Sequence, residues 1–356
     1  MSKRVGHLYE KMLDKALIRN VIIEGSKGKR KRHDVREVLS NVEKYTEKVY
    51  ELLETGTYEP TPPKHVWIFD KSSNKERTIG VVSYYPDGII HRLIVEVAKP
   101  VFMRGMYAHS CASIPERGNM HAIKYVKKAL RDIRGSKYCA KMDIRHYYPN
   151  INHRTMMRIL QRKIKDERFL KLIEKIITSD GNGLTIGFYL NQWLANVFLE
   201  SLDHMIIACD GVRYYARNMD DLILIGPNKK KLHRAIKAIM EHLAGMGLKL
   251  KDNWQVFPVD ARGIDFVGYR FFHGYTLLRK RNFLKLARQC RRVKRKIKSG
   301  ETLSVHEASG LLSRVSQLKH CSGVNIRRKY FDDIKAKQLK EIIRANSKRI
   351  KDGNKL

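Results

Sequence analysis

Cysteine is scarce in this 356-residue sequence, limited to Cys111, Cys139, Cys209, Cys290 and Cys321. Odd in number, far apart and without a C-x-x-C pair, these residues argue against a disulfide framework or a cysteine-rich zinc site. Buried reduced thiols in a cytoplasmic protein are the expectation. Long apolar runs are missing as well. None approaches the roughly 18 residues of a spanning helix, and no apolar segment follows the basic start Met1–His7. Neither a membrane span nor a secretory signal is therefore expected. No internal repeat is visible, and low complexity is confined to short basic stretches. Acids are the third shortage: 36 Asp and Glu face 72 Lys and Arg, a formal net charge of +36. Such a field repels cations, gathers polyanions and works against compaction. That is unlike an enzyme for small neutral metabolites; nucleic acid is the first partner to consider and an anionic membrane surface the second.

What is present is the material of a folded protein, 43% hydrophobic and 9% aromatic, long enough for two or three modules. Residues 1–60 read as helical, with a basic interruption at Lys27–Arg32 that is either a solvated loop or a phosphate-contacting patch. Strand-like runs at Val66–Phe69 and Thr78–Val82 flank a polar turn, and His91–Phe102 and Met120–Ile133 read as helices. Lys137–Asp143 is a short strand ending in an acid. One long helix is expected over Arg154–Thr178 and a second, apolar nearly all round, over residues 190–208. A hairpin follows, with strands Gly211–Arg217 and Leu222–Ile225 around Asn218–Asp221, then a helix at Lys229–Met246. Strands are expected at Leu248–Leu250, Gln255–Pro258 and Gly263–Phe272. From Arg279 to Lys298 there are eleven Lys/Arg and no acid. Phe283, Leu286, Cys290, Val293 and Ile297 recur there at helical spacing, which makes an amphipathic basic helix. Helices near Ser304–Leu318 and Tyr330–Ser347 complete a small basic module. Helices mixed with a hairpin-rich middle predict an α+β fold.

Three acids stand out because they sit at strand ends. Asp143 closes one strand, and Asp220 and Asp221 occupy a hairpin tip. Each alone suits a turn, but neighbouring strands would bring the three together. A carboxylate cluster without His or Cys suits Mg²⁺, and two such ions can clamp an in-line displacement at phosphorus. With the basic balance, this reads as phosphoryl transfer on nucleic acid, by a polymerase or a nuclease.

Spacing separates those two. Over about residues 75–330 the chain resembles a bacterial reverse transcriptase of the group II intron and diversity-generating retroelement type. Asp143–Tyr148 resembles the first catalytic motif, D-x4-[FY]; Gly183–Gln192 the second, G-x-P-[QI]-G-x3-S-[PQ]; Tyr215–Asp221 the third, [FY]-x-D-D. Gly245–Leu250 and Phe266–Tyr269 resemble the fourth and fifth. The resemblance implies a right-hand polymerase: an N-terminal region and fingers over 1–135, an antiparallel-sheet palm over 136–275 with part of the fingers interleaved, and a helical basic thumb over 276–356. It implies that Asp143, Asp220 and Asp221 are catalytic and, with the Ile144 carbonyl, hold two Mg²⁺ ions. Lys75, Arg77, Tyr148, Ile186, Gly187 and Gln192 would meet the incoming dNTP, with Tyr148 as a gate against the 2′-hydroxyl or, in the bland alternative, a core aromatic. Lys249 or Lys251 would protonate pyrophosphate. Asn218, Phe266, Gly268, Tyr269, Arg288, Arg292 and Arg295 would contact primer and template. Three positions depart from the patterns: Asn218 replaces an aromatic, Thr185 a proline and Asn191 a serine.

The Ile186-Gly187 form of the second motif is closer to diversity-generating retroelements than to group II introns. In that setting the RNA template and DNA product would be joined by a structured noncoding RNA and a basic accessory protein. A role in antiviral defence, a retron or an intron-derived enzyme is the alternative. An RNA-dependent RNA polymerase shares the palm, and a non-catalytic nucleic-acid-binding scaffold would explain the charge alone. No membrane partner is expected, because the 279–298 helix has few large apolar residues.

Overall fold

The computed structural model describes residues 3–70 and 75–353, and only the backbone of Asp70, Lys75 and 346–353. The polar turn at 71–74 and the side chain of Lys75 therefore lie outside the described residues. Four helices open the chain: α1 (Leu8–Met12), α2 (Lys15–Gly25), α3 (His33–Ser40) and α4 (Val42–Glu54). The Asp14 carboxylate caps α2 and the Asn41 amide oxygen caps α4, each taking N–H groups that a first turn leaves unpaired. Lys27–Arg32 forms the mostly exposed turn between α2 and α3. The hairpin β1 (Lys64–Asp70) and β2 (Lys75–Val81) follows, then α5 (Ile89–Arg104) and α6 (Asn119–Ala129).

The expected long helix is two, α7 (His153–Gln161) and α8 (Glu167–Thr178). Between them the chain leaves the helix to pair Ile164 with Val5, and Asp166 then caps α8 while also accepting from Tyr9 N–H at 2.8 Å. The apolar stretch is likewise divided, into α9 (Tyr189–Phe198) and α10 (Glu200–Ala208), by a kink at Leu199. Next come β3 (Tyr138–Asp143), earlier in the chain, with β4 (Tyr214–Asn218), β5 (Asp221–Gly226) and, after α11 (Lys229–Gly245), β6 (Gln255–Pro258). They form one antiparallel sheet in the order β4-β5-β3-β6. Leu248–Leu250 is not a strand; Leu250 makes a single bridge to Ile144.

The short helix α12 (Val259–Arg262) leads into a second antiparallel sheet, β7 (Ile264–Phe266), β8 (Tyr269–Phe271) and β9 (Thr276–Leu278). The single strand expected at Gly263–Phe272 is thus a hairpin. Its two-residue turn, Val267-Gly268, has φ of 41° and 90°, the positive dihedrals that such tight hairpins require. A valine gives no warning of them. The expected boundary at 275/276 falls inside this sheet, before β9. The C-terminal helices are α13 (Lys280–Lys298), α14 (Val305–Ser316), α15 (Val324–Tyr330), which the sequence pattern does not predict, and α16 (Ala336–Gly353). Ser304 and Glu307 form a capping box on α14.

Two hydrophobic cores meet at the four-stranded sheet. Leu222 and Leu224 of β5 enter the core shared with α5, α7, α8, α9 and α11. Ile223 and Ile225 enter the core shared with α6, the second sheet and the C-terminal helices. Alternation at period two makes Leu222–Ile225 continuously apolar because both faces of the strand are covered. All five cysteines are free, with Cys111, Cys139 and Cys290 buried. Among the described residues, no helix is long and apolar enough to cross a membrane.

Candidate active site

Strand pairing brings the three acids together. Asp143, last on β3, is the register partner of Asp221, first on β5. The two-residue turn Met219-Asp220 closes β4 onto β5 through the pair Asn218–Asp221, with Met219 at φ 57°. Ile144 N–H donates to the Asp220 carbonyl at 3.0 Å, which fixes that turn against the end of β3. The Ile144–Leu250 bridge is held by Arg145 N–H to the Lys249 carbonyl and Lys251 N–H to the Asp143 carbonyl, both 2.8 Å, so the ladder uses neighbours of Ile144 and not its own carbonyl.

Burial and the neighbouring Asp143 charge act on the other two carboxyls. Desolvation, then the Asp143 charge, raises Asp220. Desolvation pushes Asp221 up to about 6 against the pull of Lys141. Lys251 Nζ ion-pairs with Asp143, and Lys141 Nζ lies 3.4 Å from Asp221. Asp221 Oδ1, the oxygen that faces Lys141, is buried and accepts no hydrogen bond of its own. Among the described residues, no three His, Cys, Asp or Glu side chains stand together as a ready-made metal cage. The donor set is nevertheless all oxygen, and Asp220 and Asp221 are costly to leave ionised without a counter-charge, which fits a hard divalent cation. Of the two candidate lysines, Lys249 is exposed, whereas Lys251 rests on Asp143.

The other expected contacts divide. A cavity of about 660 Å³ is lined by Arg77, Asn218, Asp221, Gly268, Tyr269 and Arg279, among others, so it joins the β2 strand, the hairpin tip and the Val267-Gly268 turn. Tyr147 is core, its hydroxyl bonded to the Ala195 carbonyl, while Tyr148 is half-buried beside it. The Tyr148 carbonyl accepts from Leu184 N–H at 2.8 Å, which docks the Gly183–Phe188 loop next to the acids. Ile186 and Gln192 are half-buried and Gly187 exposed. Phe266 corrects the expectation of a primer contact: its side chain is fully buried, and the turn after it faces the cavity. Tyr269 is also mainly core, its hydroxyl donating to the Gln317 carbonyl at 3.0 Å. Arg288, Arg292 and Arg295 lie on the exposed face of α13, opposite the buried Leu286, Cys290 and Val293.

A buried polar network behind the hairpin has no counterpart in the sequence reading. Arg217 and Asp203 both have 0% side-chain exposure. Arg217 donates to Asp203 from Nε at 2.8 Å and from Nη2 at 2.7 Å, to Asn196 Oδ1 at 3.2 Å and to the Met219 carbonyl at 3.2 Å. The Tyr215 hydroxyl donates to Asp203 at 2.6 Å. Arg217 follows the aromatic and apolar run Tyr214–Ala216, but its partner lies on α10, out of reach of local pattern.

Residues 69–271 match the family described as reverse transcriptase (RNA-dependent DNA polymerase). The group II intron-encoded protein LtrA of Lactococcus lactis subsp. cremoris is 28% identical over 215 residues, 56% of this chain and 34% of that protein. Protein YkfC of Escherichia coli K12 is 27% identical over 272 residues, 64% of this chain and 70% of that protein. The chain thus spans about a third of the length of LtrA. A telomerase structure from Candida albicans, in complex with a fragment of telomeric RNA, aligns with TM-score 0.46 and 13% identity over 64% of this chain and 49% of that one. The match to the family model runs from the β1–β2 hairpin through the four-stranded palm to the second sheet, and the chain belongs to the reverse transcriptase family, with an α+β right-hand fold of fingers, antiparallel palm and helical thumb.

Proposed function

We propose that this protein is an RNA-directed DNA polymerase that makes cDNA on an RNA template, with Asp143, Asp220 and Asp221 as its catalytic carboxylates. The observation that carries the reading is the register of β3 on β5, which sets Asp143 opposite Asp221 and Asp220 in the adjoining turn. Two Mg²⁺ ions, held by those carboxylates and the Ile144 carbonyl, would activate the primer hydroxyl and stabilise the leaving pyrophosphate. Arg77 neutralises charge on the triphosphate, Lys251 is placed to move a proton to pyrophosphate, and Tyr148 crowds the sugar. The Gly268 turn and Asn218 support the primer end, and Arg288, Arg292 and Arg295 hold the template–primer backbone. Residues 1–135 would then be N-terminal region and fingers, 136–275 mainly palm, and 276–356 thumb.

The Ile186-Gly187 form of the second motif favours the diversity-generating subtype, working with a structured RNA and a basic accessory protein. The similarity to LtrA favours a group II intron-derived enzyme instead. Sequencing the cDNA discriminates: errors concentrated at template adenines support the first. For the activity itself, purified protein should incorporate dNTPs on a primed RNA in the presence of Mg²⁺. Asp220→Asn with Asp221→Asn should abolish incorporation while duplex binding persists. Synthesis retained by that variant would refute the assignment.

A further inference from the structure

Two positions that depart from the family's second motif, Thr185 and Asn191, are linked to each other and to the base of the β1–β2 hairpin. Thr185 Oγ1 donates to Asp180 Oδ2 at 2.6 Å, and Asp180 Oδ1 lies 2.8 Å from His65 Nε2 on β1. Asn191 Nδ2 donates to the Thr185 carbonyl at 3.1 Å. His65 is the register partner of Gly80 on β2, and Gly80 N–H donates to the Ile186 carbonyl at 2.8 Å. Hairpin and loop meet there without room for side chains. A Cβ on Gly187, whose φ is 117°, would strike the Gly80 carbonyl, and one on Gly80 would strike the Thr185 methyl. Arg77 lies three residues before Gly80 on the same strand and lines the cavity that contains Asp221.

We propose that Asp180 and Thr185 form a clasp that positions the incoming nucleotide by fixing the Arg77-bearing hairpin relative to the Ile186-Gly187 segment. The inference rests on the polymerase reading above. One backbone bond through Gly80 leaves the hairpin free to turn about it; a second bond at the same step, through Asp180, removes that freedom. The ordering is then done on folding and not at each binding event, so nucleotide affinity gains most. Asp180 has 17% side-chain exposure against 47% for His65, which makes the Thr185–Asp180 half the less screened one. Thr185 and Asp180 are positioning residues in this scheme: they act through Arg77 and the loop backbone.

Thr185→Val keeps the methyl that packs on Gly80 and removes only the hydroxyl. Losing a hydrogen bond to a charged acceptor should raise the KM for dNTP roughly 10- to 100-fold, with kcat at saturating dNTP within about threefold of wild type. Thr185→Ser should restore the KM, and Asp180→Asn should raise it again. Steady-state extension on one primed RNA, with duplex affinity measured alongside, reads these values. A Thr185→Val protein with unchanged KM overturns the clasp, as does a loss confined to kcat, or a Ser variant no better than Val. A wild-type protein that incorporates no dNTP overturns instead the polymerase reading on which the clasp rests.

Discussion

Replacing Asp203 by Asn should destabilise the protein severely although Asp203 touches neither nucleotide nor acid cluster. The carboxylate accepts two bonds from Arg217 and one from Tyr215, and both ions are sealed from water. Removing one partner of such a pair strands the other charge in the interior, at a cost of about 3–5 kcal/mol. At an unfolding entropy of roughly 2.1 cal/mol/K per residue, that lowers Tm by about 4–7 °C if the chain unfolds as one unit. Asp203→Leu with Arg217→Met removes both charges and should cost much less than the summed single changes, with a coupling of at least about 2 kcal/mol. Because Arg217 also donates to the Met219 carbonyl, the folded Asp203→Asn protein should lose extension activity at temperatures well below its Tm. Urea titrations of wild type, Asp203→Leu, Arg217→Met and the double variant give the cycle, with Asp203→Asn measured alongside. A single-variant cost below about 1 kcal/mol, or strict additivity, would refute the argument that the pair is energetically coupled and supports the hairpin.

Other outcomes follow from the same geometry. Tyr148→Ala should raise ribonucleotide use relative to dNTP by roughly 10- to 100-fold, read by competitive single-nucleotide extension; unchanged sugar choice would assign Tyr148 to the core. Changing Arg288, Arg292 and Arg295 to Gln should weaken binding to an RNA–DNA duplex and reduce the slope of log K against log salt by about 2–3. Arg292, already paired with Glu307 at 3.1 Å, should contribute least, and anisotropy titrations from low to physiological salt check this. His91 is buried against Phe188, and burial pushes its imidazole down to about 4. The unfolded chain takes up that proton near pH 6.5 and the folded chain only near 4, so stability falls as pH drops through this window, by up to about 3 kcal/mol. His91→Gln should flatten that part of the urea-midpoint profile; an unchanged profile would refute it.

Local chemistry made most of the fold legible. The helical N-terminus, the β1–β2 hairpin, the strand ending at Asp143 and the turn at Asp220 all follow from period, caps and turn residues. Readings failed where a distant segment intervened. Residues 163–165 have helical character, but Val5 recruits Ile164 into a bridge and divides the helix. Val267 carries no turn signal, yet the close of β7 onto β8 imposes φ 41° on it. Phe266 looked like a contact residue by motif and is core by burial.

The site shows the same division between local and distant information. Spacing alone cannot say which of Lys249 and Lys251 meets Asp143, because the two are equivalent in charge and lie only two residues apart. The bridge between Ile144 and Leu250 breaks the tie: it places Lys251 N–H on the Asp143 carbonyl and Lys251 Nζ on the Asp143 carboxylate. Arg217 is a harder case. In a chain with 72 basic residues, one more arginine is unremarkable by composition, and only full burial against Asp203 distinguishes it. A large positive excess therefore conceals the few cations that have structural work inside the palm, whereas the same excess makes scarce acids conspicuous. That asymmetry is why the carboxylates could be found from sequence and the residues that hold them in place could not.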